Sequence, residues 1–498
     1  MRAARIHLWS DGGWALDLSQ AVTDRALFHL DNAYYLPAVE FSGQVAKTNL
    51  SSNTAFRGFG GPQGMLVIEE ILDRVARRLS LDPETVRTRN LYRGRAATNT
   101  THYGQQIGDQ RIPAIWRELL KSSRFLSRRK LLRLWNGKHS HRKRGLAITP
   151  VKFGISFTVT HLNQAGALVL IYQDGTIQVN HGGTEMGQGI HTNIASLAAA
   201  ELGVSPGSVR VMPTSTDKVP NTSATAASCG TDLNGAAVVH ACGILRQRLA
   251  PVAAALLKPR LRKAPGKITF SNGFVYSLKK PAVKIPFAEV VRKAYLERIS
   301  LSANGYYATP GIHWDRVAGQ GKPFHYFACG AAVAEVEVDG FTGMHRVLRV
   351  DILHDVGNSI NAGVNRGQVE GGFIQGMGWL TTEELKWDDQ GRLLTHSPDT
   401  YKIPAAGDTP AEFRVTLLRN SVQPGVVHGS KAVGEPPLML AISVREAIRD
   451  AVAAFGPAEG EVTLASPATA EAIFRAISQR RKKLSQPRGW VRAPAKAP

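Results

Sequence analysis

The stretch AAVAEVEVDGFTGMHRVLRVDILHDVG, at residues 331–357, decides the fold class. Apolar and polar residues alternate along both of its halves, which is typical of β-strands with one buried face. The glycine-containing segment between the halves predicts a turn, so the stretch is expected to form a hairpin. Residues 154–214 contain further strand-like segments, GISFTVTHL, GALVLIYQ, GTIQVNH and VRVMPT, which are rich in β-branched residues and separated by glycine. The central part of the chain is therefore predicted to contain sheet.

Helical periodicity lies on both sides of these strands. Residues 63–93 repeat apolar residues at three- and four-residue spacing, and the pattern restarts after Pro83. The helix predicted at 191–203 ends at a glycine, which is a common helix terminator. The other predicted helices are at residues 113–134, 230–257, 367–385 and 437–455. Together the two kinds of segment predict an α+β fold.

The chain of 498 residues is too long for one hydrophobic core, so two or three domains are expected. A basic stretch at 121–145 predicts a linker between a first domain, 1–120, and a second domain, 146–478. The final residues, 479–498, are basic and are expected to form a disordered tail. The motif DGG near the N-terminus predicts a turn between two paired strands.

The formal charge of +22 is concentrated in three basic stretches, at residues 121–144, 258–267 and 480–498. A nucleic-acid-binding protein would combine such stretches with a recognition helix, a zinc site or a stacking platform of aromatic residues. The sequence contains none of these motifs, so we expect linkers, solvated faces and a tail, with attraction of anionic substrates as an additional effect. Nucleic acid is therefore not expected as a partner.

The three cysteines form no C-x-x-C pair, which argues against a zinc site or an iron–sulfur cluster held by this chain. A disulfide framework is not expected either, and the composition favours a reducing, cytoplasmic compartment. No apolar run reaches the length of a membrane-spanning helix, so no membrane partner is predicted.

Four stretches rich in glycine and small residues each lead into a predicted helix. They are TAFRGFGGPQGM (54–65), GGTEMGQGIHT (182–192), SATAASCGTDLNG (223–235) and GSKAVGEPPLML (429–440). None is a P-loop or a dinucleotide-binding fingerprint. Turns of this kind leave free backbone N–H groups at the start of the helix, where anions bind. Several of them together favour a bulky anionic cofactor.

Individual residues in these stretches and strands have both a structural and a functional interpretation. Glu435 precedes a proline, which predicts an extended backbone outside the helix that begins at Pro436 or Pro437. Its carboxylate suits either a helix cap or a general base. Arg57 suits a surface ion pair or a planar anionic ligand. Phe157 suits the buried face of a strand or a ligand contact.

Seven motifs occur in the same order as in one known family. They are TNLSSNTAFRGFGGPQG, GISFTVTHLNQAGALV, HGGTEMGQGIHTN, VPNTSATAAS, RVDILHDVGNSIN, GQVEGGFIQGMG and SKAVGEPP. From about residue 5 to about residue 478, the sequence resembles the molybdenum-cofactor-binding subunit of the xanthine dehydrogenase family of molybdenum hydroxylases. The resemblance implies an elongated, two-part molybdopterin-binding domain of the xanthine oxidase type, with mixed sheets and packed helices. It assigns residues 1–120 to the remainder of a truncated first part.

The resemblance implies a molybdenum–molybdopterin cofactor, with or without an added cytosine nucleotide. In this family the pterin dithiolene holds the metal, so no protein ligand to molybdenum is expected, and neither an iron–sulfur cluster nor FAD is expected in this chain. The residues that match cofactor contacts of the family are Arg57, Gly187, Gln188, Gly189, Ala227 and Gln368.

The resemblance also implies a reaction. Glu435 matches the general base, which takes a proton from a molybdenum-bound hydroxyl while hydride passes to a sulfido group. Arg25 matches the residue that stabilises negative charge on the substrate. Phe59 and Phe157 match two aromatics that sandwich the substrate ring, and Thr158 matches a hydrogen-bonding neighbour. The expected activity is hydroxylation of purines, from hypoxanthine to xanthine to urate; oxidation of aldehydes or other N-heterocycles is the alternative.

The family's subunit is substantially longer, and the part expected before residue 1 is missing. Two of its motifs, resembling G-G-Q-E-H-F and G-G-K-E, are not found in the sequence. We therefore expect partners: a separate N-terminal half, an iron–sulfur/FAD subunit, and a dimer of the larger assembly. The alternative is a truncated remnant without catalytic activity, or a cofactor-binding partner that needs a separate chain.

Overall fold

The computed structural model describes residues 1–94, 98–108, 111–457 and 460–485. The helices are α1 Ser19–Phe28, α2 Gly61–Arg78, α3 Pro83–Asn90, α4 Arg111–Ser122, α5 Phe125–Lys138, α6 Ile190–Leu202, α7 Gly230–Leu261, α8 Phe287–Leu296, α9 Ala362–Thr381, α10 Pro398–Tyr401, α11 Pro436–Met439, α12 Ile442–Ala453 and α13 Ala470–Ser485. The strands are β1 Ala3–Gly13, β2 Ala38–Lys47, β3 Arg142–Ile155, β4 Gln164–Ile171, β5 Ile177–His181, β6 Val209–Val211, β7 Ile268–Ser271, β8 Phe274–Ser277, β9 Lys284–Pro286, β10 Ser302–Ala308, β11 His313–Asp315, β12 Gln320–Lys322, β13 Tyr326–Asp339, β14 His345–His354 and β15 Glu412–Leu417.

A four-stranded sheet in the order β15-β14-β13-β3 runs through the centre of the protein. The predicted hairpin is confirmed, because β13 and β14 are antiparallel neighbours, and β13 also pairs with β3. Alternating side chains enter two hydrophobic cores, one on each face of the sheet. Phe153 and Ala328 lie in one core, and Leu146 and Cys329 lie in the other. Helix α12 covers the first face, and α4 and α5 cover the second.

A second sheet, in the order β10-β4-β5-β6, carries the helices that follow two of the glycine-rich stretches. Helix α7 packs against β4 and β10, and α6 packs against α7. The helix predicted at 191–203 is confirmed as α6, which ends before Gly203 in a left-handed conformation (φ +68°). The loops that precede the two helices meet, since the Thr184 N–H donates to Thr225 Oγ1 (2.9 Å). The sheet therefore brings these two stretches together.

The prediction for the N-terminal DGG motif is wrong. Strand β1 continues through Asp11 to Gly13 and pairs in parallel with β2, so the connection is helix α1 rather than a tight turn. The register shifts between Asp11 and Gly13, and Gly13 has a left-handed backbone (φ +73°). The glycines therefore form a bulge at the end of a strand. Helix α1 packs on both β2 and α2.

The stretch at 121–145 is not an extended linker, because α5 occupies most of it. Phe125 and Leu132 enter the core beside β3, while several basic side chains of this helix are exposed. Arg128 forms ion pairs with two acidic residues of the central sheet. The basic pattern therefore marks the outer face of a packed helix.

The expected tail begins inside a helix, because residues 479–485 are the last residues of α13. The rest of it, residues 486–498, lies outside the described residues. Within the described ranges, no helix is long and apolar enough to cross a lipid bilayer.

Candidate active site

The first part of the site is the turn that leads into α2. Gly60 in this turn has a left-handed backbone (φ +96°), and a Cβ atom there would lie 2.0 Å from the Val22 carbonyl oxygen. Only glycine permits this approach, so α1 packs directly against the turn. The packing places α1, which carries Arg25, beside the turn that carries Arg57 and Phe59.

Arg25 is almost completely buried (2 % exposed), and the end of β3 holds its guanidinium. Nη1 donates to the Ser156 carbonyl oxygen (2.9 Å) and Nη2 to the Gly154 carbonyl oxygen (2.6 Å). The Phe153 ring lies 4.7 Å from Cζ, and Nε is buried without a partner among the described residues. Burial lowers the pKa of Arg25, while the negative charge of Glu435 opposes this decrease. Arginine has five N–H donors, so those that β3 does not use can bind a ligand.

The strand prediction for GISFTVTHL is only partly correct, because β3 ends at Ile155. Phe157 and Thr158 follow in a bend and are half-buried. The Phe157 N–H donates to Asn163 Oδ1 (2.8 Å), and its carbonyl oxygen accepts from Asn163 Nδ2 (2.9 Å). Phe157 also packs against the larger hydrophobic core. Phe157 directly follows Ser156, whose carbonyl oxygen accepts a hydrogen bond from Arg25. The segment at the end of β3 therefore brings the predicted substrate contacts Arg25 and Phe157 together.

Arg57 joins three parts of the chain. Its Nε donates to the Gly434 carbonyl oxygen (2.5 Å), Nη1 to Gln375 Oε1 (3.1 Å) and Nη2 to Gln368 Oε1 (3.2 Å). The predicted cofactor contacts Arg57 and Gln368 are therefore adjacent. Because both glutamines accept through Oε1, their NH2 groups can still donate to a ligand. Burial lowers the pKa of Arg57, and the charge of Glu435 again opposes the decrease.

The backbone prediction for Glu435 is wrong. The residue has right-handed helical angles (φ −94°, ψ −42°) and directly precedes α11, which begins at Pro436 as expected. A following proline disfavours these angles. Hydrogen bonds to both the N–H and the carboxylate of Glu435 hold the residue in this conformation.

The Glu435 carboxylate is buried and accepts hydrogen bonds at both oxygens. The Gly58 N–H donates to Oε1 (3.2 Å), and Ser228 Oγ donates to Oε2 (2.8 Å). The Glu435 N–H in turn donates to Ser228 Oγ (2.7 Å). The side chain makes no capping hydrogen bond to α11, which disfavours the helix-cap interpretation. A carboxylate has about four lone-pair positions, so Glu435 can still accept a proton.

The turn before α7 supplies this serine. Ala227 (φ +54°) and Ser228 (φ +57°) both have a left-handed backbone, which costs roughly 1–2 kcal/mol for each residue with a Cβ atom. Such strain is concentrated at functional sites, where surrounding contacts enforce it. Ala227, a predicted cofactor contact, therefore directly precedes the side chain that holds Glu435. The next residue, Cys229, is buried, and burial raises the pKa of its thiol, so the thiol stays protonated.

The turn that contains Gly187, Gln188 and Gly189 differs from the prediction. Three N–H groups donate to the Glu185 carboxylate, those of Gly187 (2.9 Å), Gly189 (2.9 Å) and His191 (3.0 Å). Free N–H groups were expected here, but a carboxylate from the same turn occupies them. Burial acts to raise the pKa of Glu185, but these hydrogen bonds lower it below its ordinary value. Gln188 is half-buried and donates to the Thr184 carbonyl oxygen within this turn (2.8 Å).

The donor set of the site fits an organic anion. Guanidinium, amide and hydroxyl groups surround one carboxylate, and the buried Nε of Arg25 adds an unused donor. In the described part of the chain, no group of three or more His, Cys, Asp or Glu side chains is arranged to hold a metal ion. A pterin with a phosphate group can accept hydrogen bonds from these guanidinium and amide donors.

Two residues of the site were not predicted from the sequence. Gln375 lies seven residues after Gln368, which is two turns further along the same face of α9. This spacing could have identified it as a second partner of Arg57. Ser228 gives no comparable signal, because its contact with Glu435 depends on a left-handed backbone that only the folded chain imposes.

Two family models described as a molybdopterin cofactor-binding domain match the chain, one over residues 118–410 and one over residues 1–91. The chain is 46% identical over 481 residues to xanthine dehydrogenase from Oryza sativa subsp. japonica. It is 45% identical over 480 residues to xanthine dehydrogenase/oxidase from Felis catus. Each alignment covers 95% of this chain but only 33% and 34% of those proteins, so the chain spans about a third of their length.

Solved structures share the fold. Quinoline 2-oxidoreductase from Pseudomonas putida 86 superposes with a TM-score of 0.84 at 28% identity, over 96% of this chain and 60% of that one. A carbon monoxide dehydrogenase from Oligotropha carboxidovorans superposes with a TM-score of 0.83 at 21% identity, over 96% of this chain and 59% of that one. The expected α+β architecture of mixed sheets and packed helices is thus confirmed. Since one family model covers more than half of its length, the chain belongs to the molybdopterin cofactor-binding domain family.

Proposed function

We propose that this chain provides the cofactor and substrate site of a molybdenum-dependent hydroxylase that acts on purines, with Glu435 as general base. The observation that carries the proposal is the environment of the Glu435 carboxylate. It is buried, it accepts hydrogen bonds from Gly58 and Ser228, and it lies in the field of the guanidinium groups of Arg25 and Arg57. A carboxylate fixed in this way suits general-base catalysis.

Residues from both family-matched segments, including one on α9, would hold the cofactor. When bound, a molybdenum–molybdopterin group supplies the redox chemistry and the oxygen for hydroxylation of an electron-poor carbon. The residues proposed to contact it are Arg57, Gly187, Gln188, Gly189, Ala227 and Gln368. Arg57 supplies positive charge, and the NH2 group of Gln368 can donate to the cofactor, whereas the N–H groups of Gly187 and Gly189 donate to Glu185.

Another group of residues would orient the substrate. Phe59 and Phe157 suit stacking on the flat ring of a purine, and Thr158 offers a hydroxyl group for a hydrogen bond. Arg25 stabilises negative charge that develops on the ring, through guanidinium N–H groups that β3 leaves unused. Glu435 accepts a proton at one of its carboxylate oxygens as the nucleophile attacks the ring carbon.

The test is a substitution of Glu435 in enzyme assembled with its proposed partners, an N-terminal portion and iron–sulfur/FAD modules. Glu435→Gln keeps the shape and the acceptor oxygen but removes the base, so kcat for xanthine should fall by at least about 10²-fold. Molybdenum content should stay unchanged. Glu289→Gln is the matched control, because Glu289 forms an exposed ion pair with Arg260. Full turnover by Glu435→Gln would remove Glu435 from the mechanism.

The substrate class and the need for partners are separate questions. The structural likeness to quinoline 2-oxidoreductase supports a second candidate, oxidation of other N-heterocycles by the same residues. Turnover of xanthine, quinoline and an aldehyde by the same assembled enzyme distinguishes these candidates. The chain spans about a third of the length of its relatives, and we propose that turnover needs the other parts of such a protein. Elemental analysis of the purified chain tests this: about one molybdenum per chain means that it holds the cofactor unaided.

A further inference from the structure

The start of α7 is attached to the turn before α11 at two places. One attachment is the pair of hydrogen bonds between Ser228 and Glu435. The other lies deeper and involves three groups. Tyr326 of β13 donates its hydroxyl to Asp232 Oδ2 (2.6 Å), and the same hydroxyl oxygen accepts the N–H of Ala432 (2.7 Å). Asp232 lies in the first turn of α7, so this chain of hydrogen bonds connects that helix to the peptide three residues before Glu435.

All three members of this connection are buried. Asp232 is 9 %, Tyr326 6 % and Ala432 7 % exposed. A carboxyl group at this depth is destabilising unless its hydrogen bonds compensate. An apolar side chain would fill the space without that penalty, but it would not fix the orientation of the Tyr326 hydroxyl. That orientation decides whether the hydroxyl oxygen can accept the Ala432 N–H.

The segment between β15 and α11 is held at several points as it approaches the site. The Lys431 N–H donates to the Val356 carbonyl oxygen (2.9 Å) on one side. The Gly434 carbonyl oxygen accepts from Arg57 (2.5 Å) on the other. Between these two points, the Tyr326 hydroxyl is the group that holds the backbone at Ala432. Loss of this contact would free the segment that immediately precedes the carboxylate.

We propose that Asp232 and Tyr326 are positioning residues for Glu435. Asp232 orients the Tyr326 hydroxyl, the hydroxyl fixes the backbone at Ala432, and the turn then presents the Glu435 carboxylate at a constant place. The catalytic part of this inference rests on the proposed function of Glu435. The mechanical part concerns only this chain and is tested without turnover.

The first experiment measures amide hydrogen exchange in the full chain. Tyr326→Phe keeps the ring and removes the hydroxyl, so the Ala432 amide should exchange about tenfold faster, as expected for loss of one buried hydrogen bond. Tyr172→Phe is the matched control, because its hydroxyl bonds to Gln178 at the surface, and it should leave exchange at Ala432 unchanged. An unchanged rate at Ala432 in Tyr326→Phe would overturn the proposal.

The second experiment uses two substitutions of Asp232 in the assembled enzyme. Asp232→Asn retains an acceptor for Tyr326, so it should keep kcat within about twofold, whereas Asp232→Leu should lower kcat about tenfold with little change in KM. Tyr326→Phe should resemble Asp232→Leu, and it keeps the test decisive if the leucine variant does not fold. Equal kcat in all variants would overturn the proposal. If Glu435→Gln itself retains full turnover, the proposed function fails instead, and exchange at Ala432 still decides whether these side chains hold the turn.

Discussion

A buried cluster of charged residues joins the helices that follow the turns of Arg57 and Glu435. Arg87 of α3 donates to Glu69 Oε2 of α2 (2.6 Å), and its Nη2 lies 3.5 Å from Glu446 Oε2 of α12. The side chains of these three residues are at most 1 % exposed. The other Glu69 oxygen accepts from Asn32 (2.9 Å) and Tyr34 (2.6 Å). Helix α2 begins next to the Arg57 turn, and α12 follows the Glu435 turn, so Arg87 links both halves of the site.

Replacing Arg87 with Met should therefore lower the free energy of unfolding strongly. The substitution removes the ion-pair partner of the buried Glu69 carboxylate, which costs about 3–5 kcal/mol, whereas Glu446 keeps Arg445 at 2.9 Å. Burial already raises the pKa of Glu446, and loss of a guanidinium would raise it further. Adding Glu69→Gln should recover about 2 kcal/mol, because a glutamine can still accept from Asn32 and Tyr34 and needs no cation.

Urea unfolding of the full chain at pH 7, followed by far-UV circular dichroism, measures these differences. Arg316→Met is the control, because Arg316 forms an exposed ion pair with Asp24, and such pairs are worth about 0–1 kcal/mol. The reasoning is refuted if the free energy of unfolding of Arg87→Met lies within about 1 kcal/mol of that of the unchanged chain, which is the upper limit for an exposed ion pair. It is also refuted if the double variant is no more stable than Arg87→Met.

Three further predictions follow from buried polar groups. Ser228→Ala removes both hydrogen bonds to Glu435, so it should lower the free energy of unfolding by about 1–3 kcal/mol in the same urea assay. Burial raises the pKa of Asp232 to about 7, so the native state binds more protons than the unfolded chain between about pH 4 and 7. Stability should fall as the pH rises through this window, and Asp232→Asn should reduce that fall when unfolding is compared at pH 5 and 8. Burial lowers the pKa of His354 to about 4, so the unfolded chain binds more protons than the native state between about pH 6.5 and 4. Stability should therefore fall as the pH falls through this window. His354→Phe should make Tm less sensitive to acid over that range.

Local sequence signals were sufficient where a structural element depends on its own residues. The hairpin of β13 and β14 follows from alternation on both sides of one turn, and α6 ends at Gly203 because glycine adopts the left-handed conformation there. The same kind of signal failed at Gly13, where a turn motif is a bulge in a long strand. The partner of β1 lies beyond α1 in the chain, so the pairing depends on contacts that no local pattern contains.

In the candidate site, too, some features could be predicted from the sequence and others depend on the folded chain. The resemblance selected Arg57 and Gln368 independently, and the structure brings them within hydrogen-bonding distance. Sequence reasoning assigned free N–H groups to the turn at Gly187, but the acceptor is Glu185 in that same turn, two residues earlier. A glycine-rich turn therefore predicts where N–H groups converge, while the conformation of neighbouring side chains decides whether a ligand or the protein itself binds them.

The geometry of the candidate site depends on segments that are far apart in the chain. Arg57 and Gly434 are 377 residues apart in the sequence and in direct contact, and the Gly58 N–H reaches the Glu435 carboxylate over an equal separation. Neither family-matched segment, 1–91 or 118–410, contains Glu435. The proposed base therefore belongs to a third segment, which packs against α2 through α11 and α12. Because the ionic cluster around Arg87 fixes the same helices, we expect that substitution of Arg87 can separate Arg57 from Glu435 while both of these side chains remain intact.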